Sequence, residues 1–226
     1  MLMEKERIEI AEYGRKMSSS GLSKGTSGNI SIYDPVTRYM AISPSGLDYF
    51  ATQPEDVVVM DLDNNVIDGA RKPSSEHGLH TVMYLNKPDA RAVVHTHSTF
   101  CTTIACLNMP LKAVHYVIGG AGAPEVPCAE YATFGSMELA ENVKQAIGKS
   151  KAVLLANHGL VTSGPSLAKA FGLAVNLEFV AEMQWRASCI GTPVVLSDEE
   201  MMIVMESFKS YGQPSKADAK KDGSGY

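Results

Sequence analysis

The chain is short of three things, and each shortage removes a class of protein. Four cysteines stand in 226 residues (Cys101, Cys106, Cys128, Cys189), and no two form a CxxC pair. A disulfide-stapled secreted scaffold and a thiolate metal site are therefore not expected, and the four read as buried thiols. No apolar run approaches the roughly 20 residues that a membrane-spanning helix needs. The opening MLMEKERIEI is charged where a signal peptide would be apolar. A cytoplasmic protein with no membrane partner is the expectation. Positive charge is also in short supply, since 20 Lys+Arg against 25 Asp+Glu leave a formal net charge of −5. Bulk charge then argues against a nucleic-acid partner, and an anionic ligand must be held by a local site.

What is present is an ordinary folding composition, 45% hydrophobic and 20% charged. The length suits one domain, expected over residues 1–211. Residues 212–226 carry almost no apolar side chain to offset their ordering entropy and read as a frayed tail. In the opening helix, Glu4 to Ser20, Ile8, Ala11 and Met17 recur at helical spacing, and Gly21 stands where a C-cap glycine belongs. Short strands follow at Asn29–Tyr33, Tyr39–Ser43 and Val57–Asp61, broken by Asp34-Pro35 and Asp63-Asn64-Asn65. A helix to Asn86 starts after Pro73, with Ser74 or Ser75 as its N-cap. Thereafter strands at Ala92–His97, near Ala113–Ile118 and at Ala152–Asn157 alternate with helices at Ser98–Leu107, Ser136–Ile147 and Ser166–Cys189. A last helix opens at Ser197 with Glu200 three residues on and runs to about Ser210. Strands in the middle with helices around them predict an α/β fold, a sandwich about a mostly antiparallel sheet.

The sharpest chemical signal is Val93-Val94-His95-Thr96-His97. Side chains two apart on a strand share a face, so His95 and His97 project together as half of a metal site. An HxH pair alone fits two polar residues on an edge strand equally well. His158, after the apolar run Val153-Leu154-Leu155-Ala156, offers a third imidazole at a strand end. Glu76, just inside a helix start, offers a carboxylate, although by itself it reads as a first-turn acid that steadies its helix. Three imidazoles and one carboxylate would complete a tetrahedral Zn²⁺ shell. Three small-residue turns form a second group: Gly25-Thr26-Ser27-Gly28-Asn29, Ser43-Pro44-Ser45-Gly46 and Lys72-Pro73-Ser74-Ser75. Each alone is an ordinary turn, but together their hydroxyls and N–H groups could cradle a phosphate without basic side chains. His80, one turn beyond Glu76, reads either as a support for the site or as a hydrogen-bonded core histidine.

GTSGNIS, SPSG, KPSSE, AVVHTH, HYVIGGAG, YATFG, ANHGL and the closing LSDEE with SFKSYG occur in order. Together they resemble the zinc-dependent class II aldolase/adducin-head family over all but the tail. The resemblance implies a three-layer α/β/α sandwich and one Zn²⁺ per subunit, held by Glu76, His95, His97 and His158. Glu76 then doubles as acid/base. It implies phosphate contacts from Gly28, Asn29, Ser45, Gly46, Ser74 and Ser75. It implies Phe134 at an aldehyde pocket, Tyr211 as an aromatic contributor, and Tyr116 reaching a neighbouring subunit's active site in a homotetramer. The implied reaction cleaves a phosphorylated ketose, L-fuculose 1-phosphate or a relative, to dihydroxyacetone phosphate and L-lactaldehyde.

Three other readings compete. A pentulose-phosphate 4-epimerase of similar sequence carries Asp in place of Glu76 and uses a late histidine, whereas the last histidine here is His158. A methylthioribulose-1-phosphate dehydratase shares the histidines, the glutamate and the phosphate turns. A non-catalytic adducin-head-like module would have lost the metal ligands, which are all in place here.

Overall fold

A computed structural model describes residues 1–210, so the expectations for Tyr211 and the tail at 212–226 lie outside the described residues. The strands are β1 (Asn29–Asp34), β2 (Tyr39–Ile42), β3 (Val58–Asp61), β4 (Val66–Asp68), β5 (Ala92–Thr96), β6 (Cys128–Ala129), β7 (Ala152–Leu155) and β8 (Gly159–Gly164). They form one eight-stranded sheet in the order β4-β3-β2-β1-β5-β8-β7-β6. Only the β6–β7 pair is parallel. The helices are α1 (Glu4–Ser19), α2 (His77–Asn86), α3 (Thr99–Ala105), α4 (Met137–Ala146), α5 (Leu167–Ile190) and α6 (Asp198–Ser210).

Alternation along the strands sorts the core into two layers. Ile30, Ala41, Val59, Val94 and Leu154 pack with Ile10 and Met17 of α1, Ile104 of α3 and Leu177 of α5. Met40, Val58, Val93, Val153 and Val161 pack with Leu79 and Met83 of α2 and Val143 of α4 on the other face. Both faces of the sheet are therefore covered, and β5, β7 and β8 are buried along their whole length. This is the expected α/β/α sandwich, and among the described residues no helix is long and apolar enough to cross a membrane.

Local signals account for the element ends. Gly21 sits at φ 73° after α1, with its N–H donating to Ser18 and the Leu22 N–H to Met17, the paired bonds of a Schellman cap. At α6 the Ser197 hydroxyl accepts from the Glu200 N–H while the Glu200 carboxylate accepts from the Ser197 N–H, the reciprocal capping box.

Four expectations need correction. Of the four cysteines read as buried thiols, only Cys101 is buried, while Cys128 is half-buried and Cys106 and Cys189 are exposed. The segment expected as a strand near Ala113–Ile118 instead winds into a 3₁₀ helix at Tyr116–Ala121, where the His115 ring accepts the Val117 N–H. Gly119 there lies so close under α6 that a Cβ would meet Val204 and Phe208 at 3.1 Å, which fixes the segment by close packing. Strand β8, which pairs with both β5 and β7, was not among the expected strands. The N-cap position of α2 is Glu76, and neither serine caps the helix with its side chain. Ser74 instead accepts the Glu76 N–H at 3.2 Å.

Candidate metal centre

Strand β5 is an inner strand between β1 and β8, so its histidines do not sit on a sheet edge. His95 lies inside it at 0% exposure, and His97 follows its last residue. The tight β7–β8 connection places His158, with Asn157 in the left-handed region at φ 55°. The start of α2 brings Glu76 from the layer packed on that face of the sheet. Elements far apart in sequence thus deliver four donors whose atoms all lie within 4.8 Å of one another.

The three imidazoles stand 4.8, 4.8 and 4.9 Å apart between ring centres, with planes inclined at 67°, 79° and 90°. The Nε2 atoms of His95 and His97 are 3.0 Å apart. Glu76 Oε2 lies 3.3 Å from His95 Nε2, and Oε1 lies 3.3 Å from His158 Nε2. His95 Nδ1 faces the Leu160 carbonyl at 3.0 Å, and a carbonyl only accepts. Nδ1 therefore carries the proton, and in the neutral ring the Nε2 lone pair faces the cluster.

Electrostatics agree with a cation site. Burial is the main cause that pushes His97 and His158 down to about 4, so both rings are neutral lone-pair donors near pH 7. Burial alone would raise the Glu76 carboxyl, but His95, His158 and the Asn29 amide outweigh it and hold the group well below the usual carboxylate range. The buried Oε1 of this carboxylate accepts no hydrogen bond. An ionised, buried oxygen without a donor, facing three imidazole edges, fits a divalent cation, which Glu76, His95, His97 and His158 would hold.

Beside this cluster opens a cavity of about 430 Å³. Its wall includes Gly28, Asn29, Ser45, Gly46, Ser74, Ser75 and Phe134, so the residues expected at the phosphate and aldehyde subsites come together around Glu76, His97 and His158. Two of the turns are joined, since the Ser45 N–H donates to the Lys72 carbonyl at 2.9 Å and the Ser74 N–H to that of Ser43 at 3.1 Å. Gly28 is required here, because at φ 75° its Cβ would lie 2.7 Å from the His95 carbonyl oxygen. Gly135 of YATFG likewise lies against Ser75, tying the Phe134 segment to the Lys72-Pro73-Ser74-Ser75 turn. Among the described residues no lysine or arginine lines the wall.

Thr26 and Ser27 of the first small-residue turn also line the wall, and sequence reasoning missed Tyr131, Ala132 and Asn157 there. All three had a signal, Tyr131 and Ala132 lying within YATFG and Asn157 within ANHGL. Asn29 has a second task, because its amide donates to Glu76 Oε2 at 2.8 Å. Tyr116 is not brought into its own chain's cavity; it is 52% exposed and stacks on His115 at 4.7 Å.

Comparison with known proteins agrees with this geometry. The family model described as Class II Aldolase and Adducin N-terminal domain matches residues 8–185. The chain is 48% identical over 213 residues to a 5-deoxy-D-ribulose 1-phosphate aldolase of Bacillus thuringiensis serovar kurstaki, covering 94% of this chain and 100% of the relative. It is 41% identical over 216 residues to an L-fuculose phosphate aldolase of Escherichia coli O6:H1, covering 93% and 98%. A solved L-fuculose 1-phosphate aldolase superposes with a TM-score of 0.90 at 43% identity, covering 92% of this chain and 98% of that one. With a buried Glu/His/His/His cluster at the mouth of a turn-lined cavity and matches over nearly its whole length, the chain belongs to the class II aldolase family and is a carbon–carbon lyase.

Proposed function

We propose that this aldolase cleaves the C3–C4 bond of a terminally deoxygenated ketose 1-phosphate, releasing dihydroxyacetone phosphate and a short aldehyde. The observation that carries this reading is one cavity holding the metal-type cluster, three hydroxyl- and N–H-rich turns, and an aromatic wall. Two substrates fit it. 5-Deoxyribulose 1-phosphate, which would give acetaldehyde, stands first because the relative named for it is 48% identical. L-Fuculose 1-phosphate, which would give L-lactaldehyde, is favoured by the 41% relative. The Tyr131, Ala132 and Phe134 segment supports an apolar terminal methyl group in either case.

Breaking a bond beside a ketone leaves an enediolate, whose charge must be stabilised in the transition state. A bound divalent cation, Zn²⁺ by its three-nitrogen, one-oxygen donor set, would supply that stabilisation as a Lewis acid. The protein's own groups do the rest. Ser45, Ser74 and Ser75 hydroxyls and the N–H groups of the turns hold the phosphate, fixing the carbon chain over the cluster. Glu76 Oε1, which accepts no hydrogen bond, faces the cluster from the cavity wall. Ionised in the resting site, it takes up the proton that the C4 hydroxyl gives up, passed on from Tyr116 through water, and delivers it to the enediolate carbon. Tyr116 acts in a neighbouring subunit of a homotetramer, receiving the C4 hydroxyl proton as the bond breaks. Its half-exposed ring, outside its own chain's cavity, supports action across a subunit boundary.

The test is a coupled assay of dihydroxyacetone phosphate release from both ketose phosphates and methylthioribulose 1-phosphate, before and after chelation. The expected result is metal-dependent release, fastest from 5-deoxyribulose 1-phosphate. Water loss from methylthioribulose 1-phosphate without carbon–carbon cleavage would overturn the reading in favour of a dehydratase.

A further inference from the structure

Beneath the metal centre runs a buried hydrogen-bonded chain that the reaction as described does not use. Glu76, His80 and Tyr84 are spaced i, i+4, i+8, one stripe along the start and inner face of α2. Asn29 and Ser31 are two apart on β1 and opposite His95 and Val93 of β5, so they share the sheet face that the stripe meets. Tyr84 OH lies 2.7 Å from Ser31 Oγ, and Ser31 Oγ lies 2.6 Å from His80 Nδ1. His80 Nε2 lies 2.5 Å from Asn29 Oδ1, and Asn29 Nδ2 donates to Glu76 Oε2 at 2.8 Å. Ser31 and His80 are 0% exposed, Asn29 4% and Tyr84 6%.

The donor order follows from the last link. A carboxylate only accepts, so the Asn29 amide must turn its NH₂ to Glu76 and its oxygen to His80. That oxygen cannot donate, so His80 carries its proton on Nε2. Its Nδ1 then accepts from the Ser31 hydroxyl, which in turn accepts from Tyr84. Every donor points toward Glu76, an order in which each bond polarises the next.

We infer that His80 is a positioning residue for the reaction: through Asn29 it pins Glu76 Oε2, leaving Oε1 as the oxygen that faces metal and substrate, with Ser31 and Tyr84 fixing the His80 tautomer. The inference rests on the proposed role of Glu76. A histidine that merely fills space would need no particular tautomer and no link to the carboxylate. One that orients it must keep Nε2 protonated whatever the metal occupancy.

Two measurements test this. In the metal-free protein near pH 7, ¹⁵N-detected NMR of the histidine rings should show His80 as the Nε2–H tautomer. The Nδ1–H tautomer there would overturn the chain. Second, His80→Gln and His80→Met compare side chains of nearly equal shape. Glutamine can still accept from Ser31 and donate to Asn29, and methionine can do neither. At matched metal loading, kcat of the Met variant should fall about 10–100-fold below that of the Gln variant, the usual loss when a ligand's supporting bond goes. KM for the ketose phosphate should stay within about twofold. Equal kcat in the two variants would overturn the inference, and if the Met variant does not fold the ring signals decide alone. If Glu76→Gln keeps native turnover while the Nε2–H tautomer is observed, the Glu76 role falls and the chain stands.

Discussion

The two poles of the cavity are built in opposite ways. At the metal pole, His95 is 0% and Glu76 7% exposed, and each side chain comes from a strand end or helix start locked between sheet and helix layers. At the rim, Ser45, Gly46 and Ser75 are exposed, Tyr131 is 62% and Phe134 65% exposed, and all sit on turns and loops. The metal pole is over-determined: removing one donor leaves a buried charge or lone pair facing the others. A rim residue can change with little consequence for the fold. Chemistry should therefore depend steeply on the first pole and substrate choice on the second. Two relatives of closely similar identity, named for different sugar phosphates, are what such a division allows.

The comparison can be broken at its stronger side first. Glu76→Gln removes the charged ligand and the proton carrier together, and turnover should fall by about 10²–10⁴. Assays beside metal analysis check this, and a near-native rate would remove Glu76 from proton transfer. Tyr116→Phe should lower kcat by about 10²-fold or more with the melting temperature unchanged. Unchanged kinetics would take the residue out of the mechanism. At the rim, Ser75→Asp sets a carboxylate against the phosphate and should raise KM at least tenfold, roughly 1.4 kcal/mol, with kcat much less affected. Phe134→Ala should shift the preference between 5-deoxyribulose and L-fuculose 1-phosphates by about tenfold, in line with the modest energy of a methylene-sized difference. An equal loss on both substrates would place Phe134 outside the aldehyde pocket.

A further expected effect concerns stability. Burial holds His80 down to about 3, below the unfolded value near 6.5. The unfolded chain then binds more protons than the folded one between those values. The His80 contribution is fully present above pH 6.5 and is lost as pH falls toward 3, at about 1.4 kcal/mol per pH unit. Urea unfolding of metal-free protein at pH 7, 6 and 5 should show this slope added to those of His97 and His158, and His80→Gln should reduce the total by the His80 share. Identical slopes would mean that His80 titrates normally.

Much of the metal pole was legible in sequence because strand periodicity is local: Val93-Val94-His95-Thr96-His97 announces a shared face before any tertiary contact is known. What sets Glu76 among the histidines as a candidate ligand is long-range packing, the approach of α2 to β5 across the sheet. The Leu160 carbonyl that sets the His95 tautomer was hidden, because β8 has no strand-like alternation and is held by its neighbours. The 3₁₀ helix at Tyr116–Ala121 was hidden for a related reason, since the close approach of α6 to Gly119 leaves no local trace. The stripe Glu76, His80, Tyr84 was half visible as helical spacing, but only the register Asn29↔His95 showed what it meets.

The most direct test is a titration of the purified protein with a strong chelator, following bound divalent metal and dihydroxyacetone phosphate release on the same samples. The expected result is one ion per chain, with activity falling in proportion to its loss and returning on readdition. Full cleavage activity from protein stripped of metal would contradict the assignment of Glu76, His95, His97 and His158 as the centre of the reaction.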